Sequence, residues 1–358
     1  MAESSLLDLI IVRLPGLLPR DRVILRRRFD REEDLAANTK EDFERLLGHK
    51  IKGFRNMDRI RMQAERDARA AMARGIGWVS CVSGEYPPLL REIYDPPAVL
   101  FFRGRLPDPV KPLAAVVGTR RPSSGAATQA YDICRELGRQ GIAVVSGLAL
   151  GIDAMAHRGN LEGGGATVAV LGSGADEIYP SSNRSLAGRI LESGGAILSE
   201  YPPGTGPRKW NFPARNRIIS ALARGTLIVE APERSGALIT ARFALEQGRD
   251  LWVASSGAAG MTADGSAGRG EFAAGFTIAR RAGTIKLAEE GAGIVRSAAD
   301  ILGEWNLETG GGGIGNLTES GVKDAGSVPK NSESENSGGV FGGRALAASL
   351  AKSLDIDL

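Results

Sequence analysis

From residue 113 onward the chain alternates short apolar runs with helical stretches, and no other feature constrains its fold so tightly. PLAAVVG, IAVVSG, ATVAVLGSG, GAILSEY, TLIVEA and DLWVASSG are the apolar runs. Between them lie AATQAYDICRELGRQG, GIDAMAHRGNLEGG, a stretch around residues 184–194, RNRIISALARG and GALITARFALEQGR. Strands that are apolar along their whole length must be covered on both faces, and crossover helices provide that cover. The pattern predicts an α/β fold, with an extended Rossmann-like parallel sheet over residues 113–303.

The flanks read differently. Residues 1–75 have apolar side chains at three- and four-residue spacings and predict a small helical domain. Residues 76–112 carry two Pro-Pro pairs and one short apolar strand, AVLFFRG, and read as a connector. Residues 255–282 are rich in Gly and Ala and read as a flexible loop or insertion, after which IKLAEEGAGIVRSAADIL predicts a last helix–strand–helix. Residues 304–358 form a Gly/Ser/Asn linker with a short tail.

Composition excludes several chemistries. The only cysteines are Cys81 and Cys134, without a CxxC pair, which speaks against a disulfide framework or a zinc site and suits a reducing cytoplasm. The only histidines are His49 and His157. Asp153 precedes His157 by one helical turn, a spacing that suits a local contact better than a catalytic dyad. No apolar run reaches the length of about 18 residues that a membrane span needs, and the N-terminus lacks a signal-peptide pattern. The net charge of +3 permits a polyanionic partner without demanding one.

In an open parallel sheet, ligands bind where strands exit into helix starts. Four exits pair glycine with a small hydroxylated residue: Gly118 with Thr119, Ser146 with Gly147, Gly172 and Gly174 around Ser173, and Ser235 with Gly236. Such loops let backbone N–H groups approach a phosphate. Arg120, Lys209, Arg215 and Arg217 add charge. Neither GxGxxG nor GxxxxGK[ST] is present, which removes the usual dinucleotide and P-loop readings. The remaining exit, SEYPPGTGPRKWNFPARN, interleaves cations, amides and aromatic rings. Single-stranded nucleic acid needs that mixture, because spaced cations follow the phosphates and rings stack on bases. A packed loop with solvated arginines explains the segment alone equally well.

VVGTRRPSSGA, SGLALGIDAMAHRG, VLGSGADEIYPSSN, SEYPPGTGPRKWNFPARNRIISALA and VEAPERSGALITARFALEQGR occur in that order. Together they resemble the DNA-processing protein A (Smf) family, from YPPLLREIYDPPAVLFFRG at residue 86 to about residue 303. The N-terminal helices resemble that family's small SAM-like helical domain more loosely. The resemblance implies a cytoplasmic bacterial homodimer that binds single-stranded DNA and is not an enzyme, with no cofactor or metal. It also implies partners, namely the RecA recombinase, which the family helps load during natural transformation, and single-strand-binding protein. The family's DNA pocket carries over onto Arg120, Ser146, Gly147, Lys209, Asn211, Phe212, Arg215 and Asn216. Arg217 is grouped with them, although its place in the helix also suits a role in the fold. Asn211 stands where many members have histidine. The chain departs from the family in its Gly/Ala-rich insertion and in Ile285, where asparagine is expected. It departs again where many members carry a winged-helix domain, which the linker and tail lack. The rival reading is a nucleotide-processing hydrolase of the lysine-decarboxylase-like Rossmann group, whose PGGxGTxxE motif is missing here.

Overall fold

The computed structural model of the chain describes residues 5–54, 56–259 and 274–307. Five helices come first: α1 (Leu6–Arg13), α2 (Pro19–Arg28), α3 (Glu32–Ala36), α4 (Lys40–Leu47) and α5 (Met57–Ala73). Their ends follow from local chemistry. Ser5 and Asp8 cap the start of α1 reciprocally, as Thr39 and Asp42 do for α4, and α4 stops at Gly48 in the left-handed region.

The sheet follows. Its strands are β1 (Gly77–Ser80), β2 (Val99–Gly104), β3 (Leu113–Val117), β4 (Ala143–Ser146), β5 (Val168–Leu171), β6 (Ala196–Ser199), β7 (Gly225–Ile228), β8 (Asp250–Ala254) and β9 (Gly293–Val295). The helices among them are α6 (Pro88–Arg91), α7 (Ser124–Arg139), α8 (Ile152–Glu162), α9 (Arg184–Glu192), α10 (Asn211–Leu222), α11 (Gly236–Glu246), α12 (Ser255–Ala258), α13 (Ala274–Glu289) and α14 (Ala298–Glu304). The spatial order is β1-β2-β6-β5-β4-β3-β7-β8-β9. β3 to β9 run parallel, as the apolar runs predict.

AVLFFRG forms the expected strand, β2, but two findings differ from the sequence reading. Residues 76–112 belong to the sheet and add a second strand: β2 lies antiparallel to β6, with Phe101 opposite Ser199, and β1 lies antiparallel to β2. A four-residue strand such as GWVS is too short for its period to be read from sequence. The stretch read as a loop at 255–282 begins in α12 and ends inside α13; residues 260–273 and the tail beyond 307 lie outside the described residues.

Alternation along each strand splits the core. Ala114 and Val116 of β3 pack in one cluster with α7 and α8, while Ala115 and Val117 pack in another with α10 and α11. A third cluster joins Leu7, Leu9, Ile10 and Ile11 of α1 to Trp78, Val99, Phe101 and Ile197 of the sheet. The chain runs outward from β3 through β4 and β5 to β6, then returns to place β7 on the other side of β3. Strand order therefore reverses between β3 and β7, and there a crevice opens at the carboxyl ends.

Candidate nucleic-acid interface

A cleft of about 700 Å³ occupies that crevice. The loop after β3, the starts of α10 and α11, part of the loop before α8, and Tyr179 form its walls. The first wall is held from below by Glu230, which is fully buried. Its carbonyl accepts from Thr119 N at 2.7 Å, and its carboxylate accepts from Ser123 N at 3.1 Å and Ser123 Oγ at 2.5 Å. Ser123 in turn caps α7. The anchoring is all backbone and serine, so Arg120 and Arg121 are left exposed.

Arg215 and Asp153 form the floor. The Arg215 guanidinium donates to Gly147 O at 2.9 Å and to Val170 O. A Cβ on residue 147 would lie 2.6 Å from Arg215 Nη2, so this close approach requires glycine. Burial lowers the Arg215 pKa to about 10, against the attraction of Asp153, so the group stays charged at neutral pH. Burial raises the Asp153 pKa, and Arg215 opposes that shift. Asp153 accepts from Ala149 N at 3.3 Å and holds the loop before α8.

The remaining wall is a double loop. Asn211 Nδ2 donates to Gly172 O at 2.9 Å, Gly174 N to Thr205 O at 2.8 Å, and Gly204 N to both carboxylate oxygens of Asp176 at 3.0 Å. Arg74, just past the end of α5, pairs with Asp176 at 3.1 Å, so the N-terminal helices also support this wall. Phe212 meets Tyr179 with ring centroids 5.5 Å apart at 44°, and Tyr179 is 46% exposed. Arg120, Arg121, Lys209 and Arg234 all line the cleft and are exposed; among the described residues none pairs with a carboxylate. The cleft thus has a cationic rim, an aromatic wall and a buried polar floor.

Residues 78–306 match the family model of DNA recombination-mediator protein A. The chain belongs to this family. It is 40% identical over 232 residues to the DNA processing protein DprA of Bacillus subtilis, covering 64% of this chain and 72% of the relative. It is 41% identical over 222 residues to the DNA processing protein DprA of Streptococcus pneumoniae, covering 62% and 72%. The X-ray structure of DNA processing protein A from Streptococcus pneumoniae aligns with a TM-score of 0.65 at 32% identity, over 85% of this chain and 99% of that one. A structure of the Helicobacter pylori protein, described for its single-stranded DNA binding mode, aligns with a TM-score of 0.51 at 27% identity, over 64% and 95%. The role of this recombination-mediator family member lies in DNA processing and recombination.

In this family member the cleft brings together Gly118, Thr119, Arg120, Lys209, Phe212, Arg215, Asn216, Ser235 and Gly236 of the residues expected from sequence. Asn216 Nδ2 donates to Gly236 O at 3.1 Å and ties the two helix starts together. Other expected residues lie behind the walls, and the structure corrects their placement. Ser146 is buried and its hydroxyl is spent on Val116 O at 2.6 Å. Asn211 is buried on Gly172, and Gly147, Gly172 and Gly174 shape buried turns without lining the cleft. Arg217 is 3% exposed and points away, bonded to Glu200 at 2.7 Å and Asp95 at 3.0 Å. His157 bonds Thr167 Oγ1 at 2.8 Å and not Asp153; burial lowers its pKa to about 3, which keeps the imidazole neutral. Ile285, at the departure from the family pattern, is buried in α13.

Sequence reasoning missed Tyr179 and Arg234. The tripeptide IYP at the third strand exit was the available signal for Tyr179, since an aromatic residue beside proline in a strand-exit loop has no helix or strand period to satisfy. Arg234 precedes the Ser235 cap of α11, a position where a cation opposes the helix dipole and is therefore unexplained by helix stability.

Proposed function

We propose that this chain binds single-stranded DNA in the cleft, independently of base sequence, as a non-catalytic recombination mediator. The observation that carries the reading is the set of four exposed cations around the Tyr179–Phe212 pair, none of them paired with a carboxylate among the described residues. Cations on the rim displace counterions from phosphates, and the aromatic faces accept any unstacked base. A duplex presents its bases already stacked, so the aromatic wall favours a single strand. The Helicobacter pylori relative, studied for its single-stranded DNA binding mode, supports the same assignment. The family resemblance extends the reading to a cytoplasmic homodimer that loads RecA recombinase onto strands coated with single-strand-binding protein. Free, buried Cys81 and Cys134 suit a reducing compartment.

Fluorescence anisotropy of a labelled oligo-dT strand at several salt concentrations tests the binding. The wild-type affinity should fall steeply with salt. Arg120→Ala combined with Lys209→Ala should weaken binding and flatten the logarithmic salt slope by about 1.4, at about 0.7 per lost phosphate contact on a single strand. Undiminished affinity in the double variant sinks the site assignment. RecA filament formation on strands coated with single-strand-binding protein, with and without this chain, tests the mediator role; equal rates would reject it.

A further inference from the structure

Trp210 is the one tryptophan of four that the fold leaves in the open. It is 69% exposed, whereas Trp78, Trp252 and Trp305 are buried. Phe212, two residues later, lines the cleft, and Trp210 does not. Helical geometry separates them. Trp210 already has helical backbone angles at the start of α10, and positions two apart point about 200° apart around a helix axis. The Asn211 amide, drawn inward to Gly172 O, sets the rotation so that Phe212 faces in and Trp210 faces out.

The surroundings of Trp210 are cationic. The Arg208 guanidinium lies 5.8 Å from the centroid of the indole ring, within reach of a cation–π contact. Arg208 and Lys209 are exposed, and neither pairs with a carboxylate among the described residues. A single exposed apolar side chain is ordinary on a protein surface. A large aromatic ring next to two exposed cations, on the same loop that carries Lys209 to the cleft, matches what a single strand requires of its binding surface.

We infer that Trp210 is a second base-stacking station, outside the cleft, for an unpaired nucleobase of the strand as it leaves. Arg208 covers one face of the indole and the base stacks on the other. Lys209, adjacent to Trp210 in the chain and itself lining the cleft, takes the phosphate that links them. The inference rests on the cleft being the single-stranded DNA site, and it lengthens the footprint beyond what the cleft alone encloses.

Intrinsic tryptophan emission of the full chain reads this directly. Adding an oligo-dT strand of about 16 nucleotides should quench or shift the emission, and Trp210→Leu should abolish the change because the other three indoles are buried. By anisotropy, Trp210→Ala should weaken the same strand about tenfold, the equivalent of one lost stack. Trp210→Phe should recover most of the affinity. A strand of about four nucleotides, which the cleft can hold alone, should bind the wild type and Trp210→Ala alike. A strand that binds by anisotropy and leaves the emission unchanged overturns the second station and leaves the cleft assignment standing. Wild-type affinity of Trp210→Ala for the long strand does the same. A wild-type chain that binds no strand of either length overturns the cleft assignment, and the station with it.

Discussion

Arg215 and Arg217 are two positions apart on α10 and do opposite things. Arg215 turns toward the strand exits and forms the floor of the cleft. Arg217 turns toward the loop after α6 and closes a buried ion-pair network with Glu200 and Asp95. The two acidic partners lie 17 and 122 positions away in the chain, so local composition carried no trace of the pairing. Arg217→Ala leaves Glu200 largely buried without its partner, and removing one member of a buried pair costs about 3–5 kcal/mol. The partial exposure of Asp95 places the expected loss at the lower end of that range. A urea titration should show the drop in stability, while the folded variant keeps its affinity for oligo-dT within about twofold. A large loss of affinity at unchanged stability would return Arg217 to the cleft.

Among the elements, the strand–helix alternation was legible because six buried parallel strands, β3 to β8, demand unbroken apolar runs, and such runs are visible in any register. The glycines at the strand exits were legible too, but their purpose was not. The sequence reading made Gly147 a contact for a ligand; the structure makes it the space into which the Arg215 guanidinium packs. Gly147→Ala places a methyl group 2.6 Å from Arg215 Nη2 and displaces a side chain bonded to two carbonyls. Overpacking of this kind destabilises by about 1–3 kcal/mol. The expected result is a lower thermal midpoint and weakened strand binding together, since the loop before α8 and the cleft floor share this contact. A variant with wild-type stability and affinity would show that the loop has room for the methyl group.

For the whole molecule, the N-terminal helices are part of the same packed body as the sheet. One hydrophobic cluster contains α1 residues and Trp78, Val99, Phe101 and Ile197, and Arg74 pins the wall of the cleft through Asp176. Starting the chain at residue 75 would strip the helical cover from the β1–β2 side of that cluster, where Trp78, Val99 and Phe101 sit. At about 1.5–3 kcal/mol each, the loss of roughly 4.5–9 kcal/mol rivals the whole stability of a typical domain. The shortened chain should express poorly or bind a hydrophobic dye in its native buffer. A truncated chain that melts cooperatively at the full-length midpoint would show the helices to be an independent module.

Fold class, the rank of strand exits where a ligand would sit and the family motifs that identify those exits can all be read along the chain. Those properties are local: apolar period, turn chemistry and residue order are written along the chain. Which residues share the cleft follows from the packing of distant segments and cannot be read along the chain. The tertiary structure brought Tyr179 and Arg234 to the rim beside Arg121, Phe212 and Lys209, and withdrew Ser146, Asn211 and Arg217 into the fold. The physical reason is that a polar side chain near a strand exit is drawn to whichever buried carbonyl or carboxylate it can satisfy, and those partners come from distant segments. What is left unpaired after that satisfaction is the surface proposed to bind the strand.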